Sequence, residues 1–143
     1  MGELEQLFSS LARTGAYTSG IALTTTQRLA LVELVDSGPR RLGALAGRIG
    51  ASDATVSRAI DGLVEEGIVK RQDDPDDRRA VLHVATAKGQ AWVERRRKEV
   101  AAALDKALAR LSSADRKRLL ALVQKLNSEL AGSAHHPALL AAR

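Results

Sequence analysis

The chain has 143 residues, a formal net charge of +5 and no cysteine. This length suits one domain, or one domain with a dimerising extension, and the lack of cysteine excludes disulfides, thiolate metal sites and thiol redox switches. No apolar run is long enough to span a bilayer, and the acidic start lacks the pattern of a secretory signal, so we expect a soluble, cytoplasmic protein.

Composition and charge distribution narrow the interpretation further. The aromatic residues are one Phe, one Tyr and one Trp, so the core must be built from Leu, Val, Ile and Ala, which favours a mainly helical protein. Residues 92–143 carry eleven Lys or Arg against five Asp or Glu, whereas residues 51–91 carry six against eight. The basic excess is therefore C-terminal, and it does not by itself predict where an anionic partner binds.

Two amphipathic helices are predicted in the N-terminal part. The first spans Glu3 to about Ala16, with apolar residues at the i, i+3, i+4, i+7 spacing. The second begins after Thr24, which forms a capping box with Gln27, and ends at Ser37-Gly38-Pro39.

Two short helices with a glycine-containing turn between them follow. One runs from Leu42 to Gly50, and the next begins at the cap residue Ser52 and runs to Gly67. This arrangement predicts a helix-turn-helix. The inward faces are Leu42, Leu45, Ala46 and Ile49 in the first helix and Val56, Ile60 and Leu63 in the second.

Beyond Gly67 the sequence becomes typical of β-structure. Two β-favouring runs, 68–72 and 80–84, flank the turn-forming segment 73–79, which predicts a β-hairpin with a charged tip. A long helix is predicted from Thr86 to about Leu111, and a last helix after Ser112-Ser113, each with an apolar stripe. Residues 132–143 are predicted to form a flexible tail.

The outward face of the second short helix suits the DNA major groove. Small or hydrogen-bonding residues occupy its N-terminal turns, where Ala54 allows close approach and Thr55 can touch a thymine methyl. Arg58 can bind a guanine edge with two hydrogen bonds, and Ser52 or Ser57 can hold phosphate. An ordinary surface helix with two unlike faces is the alternative interpretation.

The hairpin strengthens the DNA interpretation. Arg78 and Arg79 lie near its tip, where a guanidinium can reach the negative potential of a narrow minor groove. The competing interpretation is a solvated charge cluster, because four aspartates share the tip. We expect one of them, Asp77, to pair with a neighbouring arginine and fix the conformation of the wing, leaving the other arginine for DNA.

At this point the chain resembles the MarR family of bacterial winged helix-turn-helix transcriptional regulators. The wing matches the family pattern of Asp-x-Arg, five residues, Leu-Thr, two residues, Gly, with Ala85 in place of the usual Leu. The residues that carry the resemblance are Leu23-Thr24, Gln27, Leu31 and Leu34, then 42–50 and 52–63, then Asp77-Arg78-Arg79, Ala85-Thr86 and Gly89.

The resemblance implies a homodimer in which the first and the last two helices interlock. Two recognition helices would then enter successive major grooves of a pseudo-palindromic operator, with the wings in flanking minor grooves. The apolar stripes of the last two helices support this independently, because they exceed what a small winged helix can cover. The predicted organisation is a winged helix-turn-helix at 23–86 and a helical dimerisation region at 1–22 and 87–131.

Family members commonly bind small anionic or aromatic ligands between these two regions. Tyr17, Ile21, Leu29 and Trp92 are the residues that could border such a cleft, although a role in the core is the simpler interpretation of each.

The predicted function is that of a DNA-binding transcriptional regulator, a repressor, released by a small-molecule ligand. The first alternative is a winged helix that contacts other proteins without sequence-specific DNA binding; the second is a small hydrolase or ligand carrier. The sequence contains no phosphate-binding glycine loop, nucleophile elbow or paired carboxylates, so neither an enzyme nor a metal or cofactor site is predicted.

Overall fold

The computed structural model describes residues 2–3, 5–6, 9–10 and 21–133. The elements from residue 21 onward are α1 (Thr25–Ser37), α2 (Leu42–Ile49), α3 (Asp53–Glu65), β1 (Val69–Asp74), β2 (Asp77–Ala85), α4 (Ala87–Leu108) and α5 (Ser113–Ser133). The chain divides into two compact units, residues 1–100 and 101–143. This order confirms the predicted fold class, which is mainly α with one β-hairpin.

The predicted ends of the molecule are only partly described. Helical residues occur at 3, 5–6 and 9–10, within the first predicted helix, but its apolar face of Leu4, Leu7, Phe8 and Leu11 lies outside the described residues. Helix α5 reaches Ser133, two residues into the segment predicted as a tail. Residues 134–143 lie outside the described part of the chain.

The predicted helix starts are set by side-chain caps. Thr24 Oγ1 accepts the Gln27 amide at 3.3 Å while the Thr24 amide donates to Gln27 Oε1 at 2.9 Å, which is the predicted capping box. Ser52 Oγ accepts the Thr55 amide at 3.3 Å, and Thr86 Oγ1 accepts the Gly89 amide at 3.2 Å. These short polar side chains satisfy amides that a helix leaves unpaired in its first turn.

The core of the first unit joins the helix-turn-helix to the base of the wing. The inward residues predicted on α3 are fully buried, and Trp92 and Val93 of α4 close the core from the other side. The buried cluster is Ala30, Leu31, Leu34, Leu45, Ala46, Val56, Ile60, Leu63, Ile68, Val69, Ala85, Trp92 and Val93. Burial of these apolar side chains is what fixes α3 against α1 and α2.

The hairpin strands are longer than predicted, and the turn is shorter. Strand β1 pairs antiparallel with β2, from Val69 opposite Ala85 to Asp74 opposite Asp77, so only Pro75 and Asp76 form the turn. The register shifts between Asp73 and Asp74 because residues 78–80 form a bulge. Arg78 and Arg79 therefore lie in the first part of β2 and not in a loop as predicted.

A short third strand element lies beside the wing. Arg40 forms an isolated antiparallel bridge with His83, in which each backbone amide donates to the other carbonyl, at 3.1 and 2.8 Å. The His83 side chain is buried, with Nδ1 3.3 Å from the Arg40 carbonyl oxygen. Arg40, two residues before the start of α2, is thus bonded to the middle of β2.

The start of α4 packs tightly against the segment that joins α3 to β1. The Thr86 amide donates to the Ile68 carbonyl at 3.0 Å, and Thr86 Oγ1 donates to the Gly67 carbonyl at 2.8 Å. A Cβ atom on Gly89 would lie 2.2 Å from the Ile68 carbonyl oxygen. Gly89 therefore allows a close approach of two backbones.

The second unit carries an apolar stripe of exposed side chains on α5. Leu119, Leu122, Val123 and Leu126 recur at the i, i+3, i+4, i+7 spacing and are 40–54% exposed. Among the described helices, none combines the length and hydropathy needed to cross a membrane.

Candidate nucleic-acid interface

Helix α3 presents the side chains that the sequence assigned to base contacts. Because Val56, Ile60 and Leu63 are buried, Ala54 and Arg58 point away from the core and are exposed. Thr55 and Ser57 flank them and are partly exposed. Ser52 Oγ lies 2.8 Å from Thr55 Oγ1, so the two hydroxyls bond to each other at the helix start.

The C-terminal half of α3 contains a carboxylate that an arginine of the wing neutralises. The Arg71 guanidinium of β1 donates to the Asp61 carboxylate in an ion pair. From its position on the outward face, Asp61 would repel DNA phosphate, and the pair reduces that repulsion. No local pattern predicted this pair, since Arg71 lies ten residues further along the chain in another element.

Asp77 organises the start of β2, but its arginine partner differs from the predicted one. Its Oδ1 accepts the Arg79 backbone amide at 3.1 Å, and its Oδ2 lies 3.6 Å from Arg41 Nη1. The prediction of a pair with Arg78 or Arg79 was wrong, because the short turn brings Asp77 next to the start of α2. Arg78 and Arg79 are exposed and form no ion pair within the described part of the chain.

Asp74 is the buried carboxylate of the wing, and the sequence analysis missed its role. Arg41 donates to its Oδ2 from Nε at 2.7 Å and from Nη2 at 2.6 Å, while its Oδ1 accepts the Asp76 amide at 3.0 Å. The hydrogen bond from the Asp76 backbone, followed by that from Arg41, lowers the pKa of Asp74 below its usual value. Asp74 therefore stays ionised.

These ion pairs offset part of the acidic charge of the segment, with two arginines serving three aspartates. The carboxylates of Asp61, Asp74 and Asp77 each have an arginine partner in Arg71 or Arg41. The side chains of Arg58, Arg78 and Arg79 are exposed on α3 and β2. The surface formed by α3 and the wing thus presents exposed guanidinium groups although its sequence is slightly acidic.

Comparison with known proteins decides the family. A family model described as "MarR family" matches residues 23–81, from the loop before α1 to the middle of β2. The chain belongs to the MarR family. It is 33% identical over 73 residues to the uncharacterized HTH-type transcriptional regulator YhbI of Bacillus subtilis. That match covers 51% of this chain and 47% of YhbI, so it spans about half the length of this curated relative.

Solved structures extend the similarity to most of this MarR-family chain. RV1404 from Mycobacterium tuberculosis has a TM-score of 0.81 at 22% identity, over 87% of this chain and 86% of that one. A MarR family protein from Bacillus stearothermophilus has a TM-score of 0.77 at 21% identity, over 90% of each chain. A probable transcriptional regulator from Pseudomonas aeruginosa is 31% identical, with a TM-score of 0.62, over 86% and 92%. The fold and family are those of transcriptional regulators.

The residues that the MarR resemblance suggested for a ligand cleft occupy different environments. Trp92 is buried in the core and Ile21 packs against that core, whereas Leu29 of α1 is 49% exposed. Tyr17 lies outside the described residues. Trp92 and Ile21 thus contribute to the hydrophobic core, and a ligand role for the four residues stays a prediction.

Helix α4 carries four consecutive basic residues, 95–98, and at least one of them forms ion pairs within the protein. Arg97 Nη2 donates to Asp36 Oδ1 of α1 at 2.6 Å, and Arg97 Nη1 lies 3.4 Å from Glu94 Oε1. Arg97 therefore connects α4 to α1 in this family member.

Proposed function

We propose that this chain is a sequence-specific DNA-binding transcriptional repressor that binds a pseudo-palindromic operator as a homodimer in the cytoplasm. The observation that carries the proposal is the pairing pattern of the interface. Three carboxylates of α3 and the wing are paired with Arg71 or Arg41, while the side chains of Arg58, Arg78 and Arg79 stay exposed. A surface of this kind favours contact with phosphate and with base edges.

In the proposed complex the side chains of α3 recognise the bases. Arg58 donates two hydrogen bonds to a guanine edge in the major groove, and Thr55 contacts a thymine methyl. Ala54 lets the helix approach the groove floor closely, and Ser52 and Ser57 bind the flanking phosphates. The N-terminal end of the helix dipole adds to the attraction for phosphate at Ser52.

In the proposed complex the wing binds in the minor groove. Arg78 and Arg79 follow a two-residue turn and sit in a bulge, a feature that re-aims side chains at the end of a hairpin. A narrow minor groove concentrates negative potential and attracts guanidinium groups. The wing therefore contributes affinity and a preference for groove shape more than for individual bases.

The homodimer is supported by α5. Leu119, Leu122, Val123 and Leu126 form a continuous exposed stripe, and a helix with such a stripe on a monomer is an aggregation hazard unless another surface covers it. A second copy of the chain covers it symmetrically. Two-fold symmetry then places two α3 helices on half-sites about one DNA turn apart.

The repressor is released when a small anionic or aromatic effector binds. Tyr17, Ile21, Leu29 and Trp92 are the candidate contacts. This part is tested by titrating the protein–operator complex with aromatic carboxylates such as salicylate. We expect the ligand to dissociate the protein from the operator. Unchanged DNA binding across such a panel would remove the effector from the proposal.

The decisive experiment for DNA binding is in vitro selection of duplexes by the full-length protein. We expect an enriched inverted repeat with half-site centres about 10 base pairs apart, and an affinity that falls steeply as salt rises. Random enriched sequences with salt-insensitive binding would instead support a winged helix that contacts proteins.

A further inference from the structure

Arg41 connects the start of the helix-turn-helix to the tip of the wing through two carboxylates, and we name Arg41, Asp74 and Asp77 the wing clasp. We infer that Arg41 is a positioning residue for DNA binding: it fixes the orientation in which the wing presents Arg79 to the minor groove. This inference rests on the proposed function, and it assigns Arg41 no DNA contact of its own.

Arg41 lies at the start of α2, but its side chain contacts the wing and not the helix. It occupies the N-cap position of α2, in an extended conformation, and its side chain makes no capping hydrogen bond to the helix. Its guanidinium reaches the wing instead, where it binds the Asp74 and Asp77 carboxylates. Replacing Arg41 therefore removes the link to the wing without removing a helix cap.

Asp74 and Asp77 each use one carboxylate oxygen for Arg41 and the other for a backbone amide. In each, Oδ2 faces Arg41, while Oδ1 accepts a backbone amide two residues later. Asp74 accepts from Asp76 at 3.0 Å, and Asp77 accepts from Arg79 at 3.1 Å. These are two successive Asx turns. One guanidinium thus holds both carboxylates that shape the backbone on either side of the turn.

The wing clasp is bonded directly to the backbone of Arg79. The path runs from Arg41 to the Asp77 carboxylate and from there to the Arg79 amide. Residues 78–80 form the bulge where the register of the hairpin shifts, so they lack the regular ladder that would otherwise fix them. The Asp77 contact supplies the local constraint that the ladder does not give.

Arg40, the residue next to Arg41, makes a second connection to the wing. The Arg40 backbone bridges His83 in the middle of β2, while the Arg41 side chain holds the tip. Arg40 and Arg41 therefore hold the hairpin at two positions, the middle of β2 and the residues that flank the turn. Because α2 packs with α3 through the common core, the orientation of the wing is fixed relative to the recognition helix.

A direct phosphate contact by Arg41 is the competing explanation, since its side chain is 49% exposed. A double-mutant cycle separates the two. The variants Arg41→Ala, Arg79→Ala and the double variant are titrated, as full-length protein, with the duplex that the wild-type chain selects in vitro. If Arg41 acts through Arg79, its loss costs affinity only while Arg79 is present.

The expected result is about a tenfold weaker affinity for Arg41→Ala in the wild-type background and no further loss in the Arg79→Ala background. Arg97→Ala is the matched control, because Arg97 is 47% exposed and pairs with Asp36 of α1 and not with a residue of the wing clasp; this variant should bind like wild type. An equal loss in both backgrounds, or no loss from Arg41→Ala, would overturn the inference.

A second measurement keeps the inference testable independently of DNA. Asp74→Asn preserves the shape of the side chain and weakens its bond to Arg41. Amide hydrogen exchange in this variant and in Arg41→Ala should speed up at 74–80 and stay unchanged in α1. Unchanged exchange at 74–80 would overturn the clasp. If the wild-type chain selected no duplex, the proposed function would fail, while the exchange result would still decide whether Arg41 holds the wing.

Discussion

Arg58 and Arg79 are both exposed, but at the residue scale their surroundings suit them to different tasks in the proposed DNA complex. Within α3, every residue of which is described, Arg58 is the one cation, and it lies on a rigid helix with a fully buried opposite face. Arg79 lies in a bulge near a turn. A side chain on a rigid helix suits base recognition, whereas one at the end of a hairpin suits groove shape.

Replacing these two arginines should therefore produce different specificity profiles. Arg58→Ala should relax the preference at one base pair of each half-site by roughly 1–3 kcal/mol. Arg79→Ala should weaken binding to all selected duplexes by a similar factor and reduce the salt slope. Competition binding with single-base variants of the selected duplex measures both. Identical profiles for the two variants would contradict the assigned roles.

Gly89 offers a stability test of the close approach between α4 and the segment after α3. A Cβ at this position would meet the Ile68 carbonyl oxygen at 2.2 Å, so Gly89→Ala should lower the free energy of unfolding by about 1–3 kcal/mol. Gly47→Ala is the matched control, since nothing lies within 4 Å of its Cβ, and an alanine in a helix should stabilise by roughly 0.5–1 kcal/mol. Urea unfolding measures both, and similar effects at the two sites would contradict the packing.

Local side-chain chemistry could be predicted from the sequence, whereas long-range pairs could not. The capping box of Thr24 and Gln27 and the cap at Ser52 depend on residues three apart, so their signal is contained in a short window. Arg41 and Asp74 are 33 residues apart, and either residue alone resembles an ordinary surface charge. Their pairing follows only once the core has placed α2 beside the wing.

At the scale of elements, the hairpin shows how tertiary contacts extend a strand beyond its sequence signal. Residues 73–79 contain four aspartates and a proline, a composition that favours a loop. The strands nevertheless continue to Asp74 and resume at Asp77, because the Arg41 guanidinium pairs with both carboxylates and the bulge absorbs the irregularity. The helices on either side matched their predicted positions, since their apolar periodicity is strong.

His83 makes the attachment of the wing sensitive to pH. Burial lowers the pKa of His83 below the usual 6.5, an effect that the nearby Arg71 reinforces and that the Arg40 carbonyl and Asp61 oppose. The folded protein then binds this proton more weakly than the unfolded chain does, so stability should decrease as pH falls below about 6.5.

Thermal unfolding of the wild type between pH 7 and pH 5 checks the sign of this dependence. His83→Gln should unfold at a less pH-dependent temperature over that range. The lowered pKa of Asp74 acts in another window, because its contribution is complete above its usual value of 3.8 and is lost only as pH falls through the folded value. A wild-type stability that rose on acidification to pH 5 would contradict the assignment to His83.

At the scale of the whole molecule, the proposed function makes DNA binding depend on assembly through α5. In the proposed homodimer, Leu122→Asp places a charge inside the stripe and should shift the protein toward monomers, which lose the second half-site. Gln124→Asp adds the same charge about 200° around the helix and should leave the dimer intact. Sedimentation equilibrium measures the mass, and a stable dimer of Leu122→Asp would show that another surface holds the two chains together.

The bridge between Arg40 and His83 has a thermodynamic consequence for the proposed binding of DNA. It closes residues 41–82 into a ring that contains both α3 and the wing tip, so the two reading elements are already arranged before DNA arrives. Little conformational entropy is then lost on association, and the free energy of the new contacts is retained as affinity. Binding should accordingly resemble the docking of a preorganised body, with a heat-capacity change set by the buried surface and not by the folding of the wing.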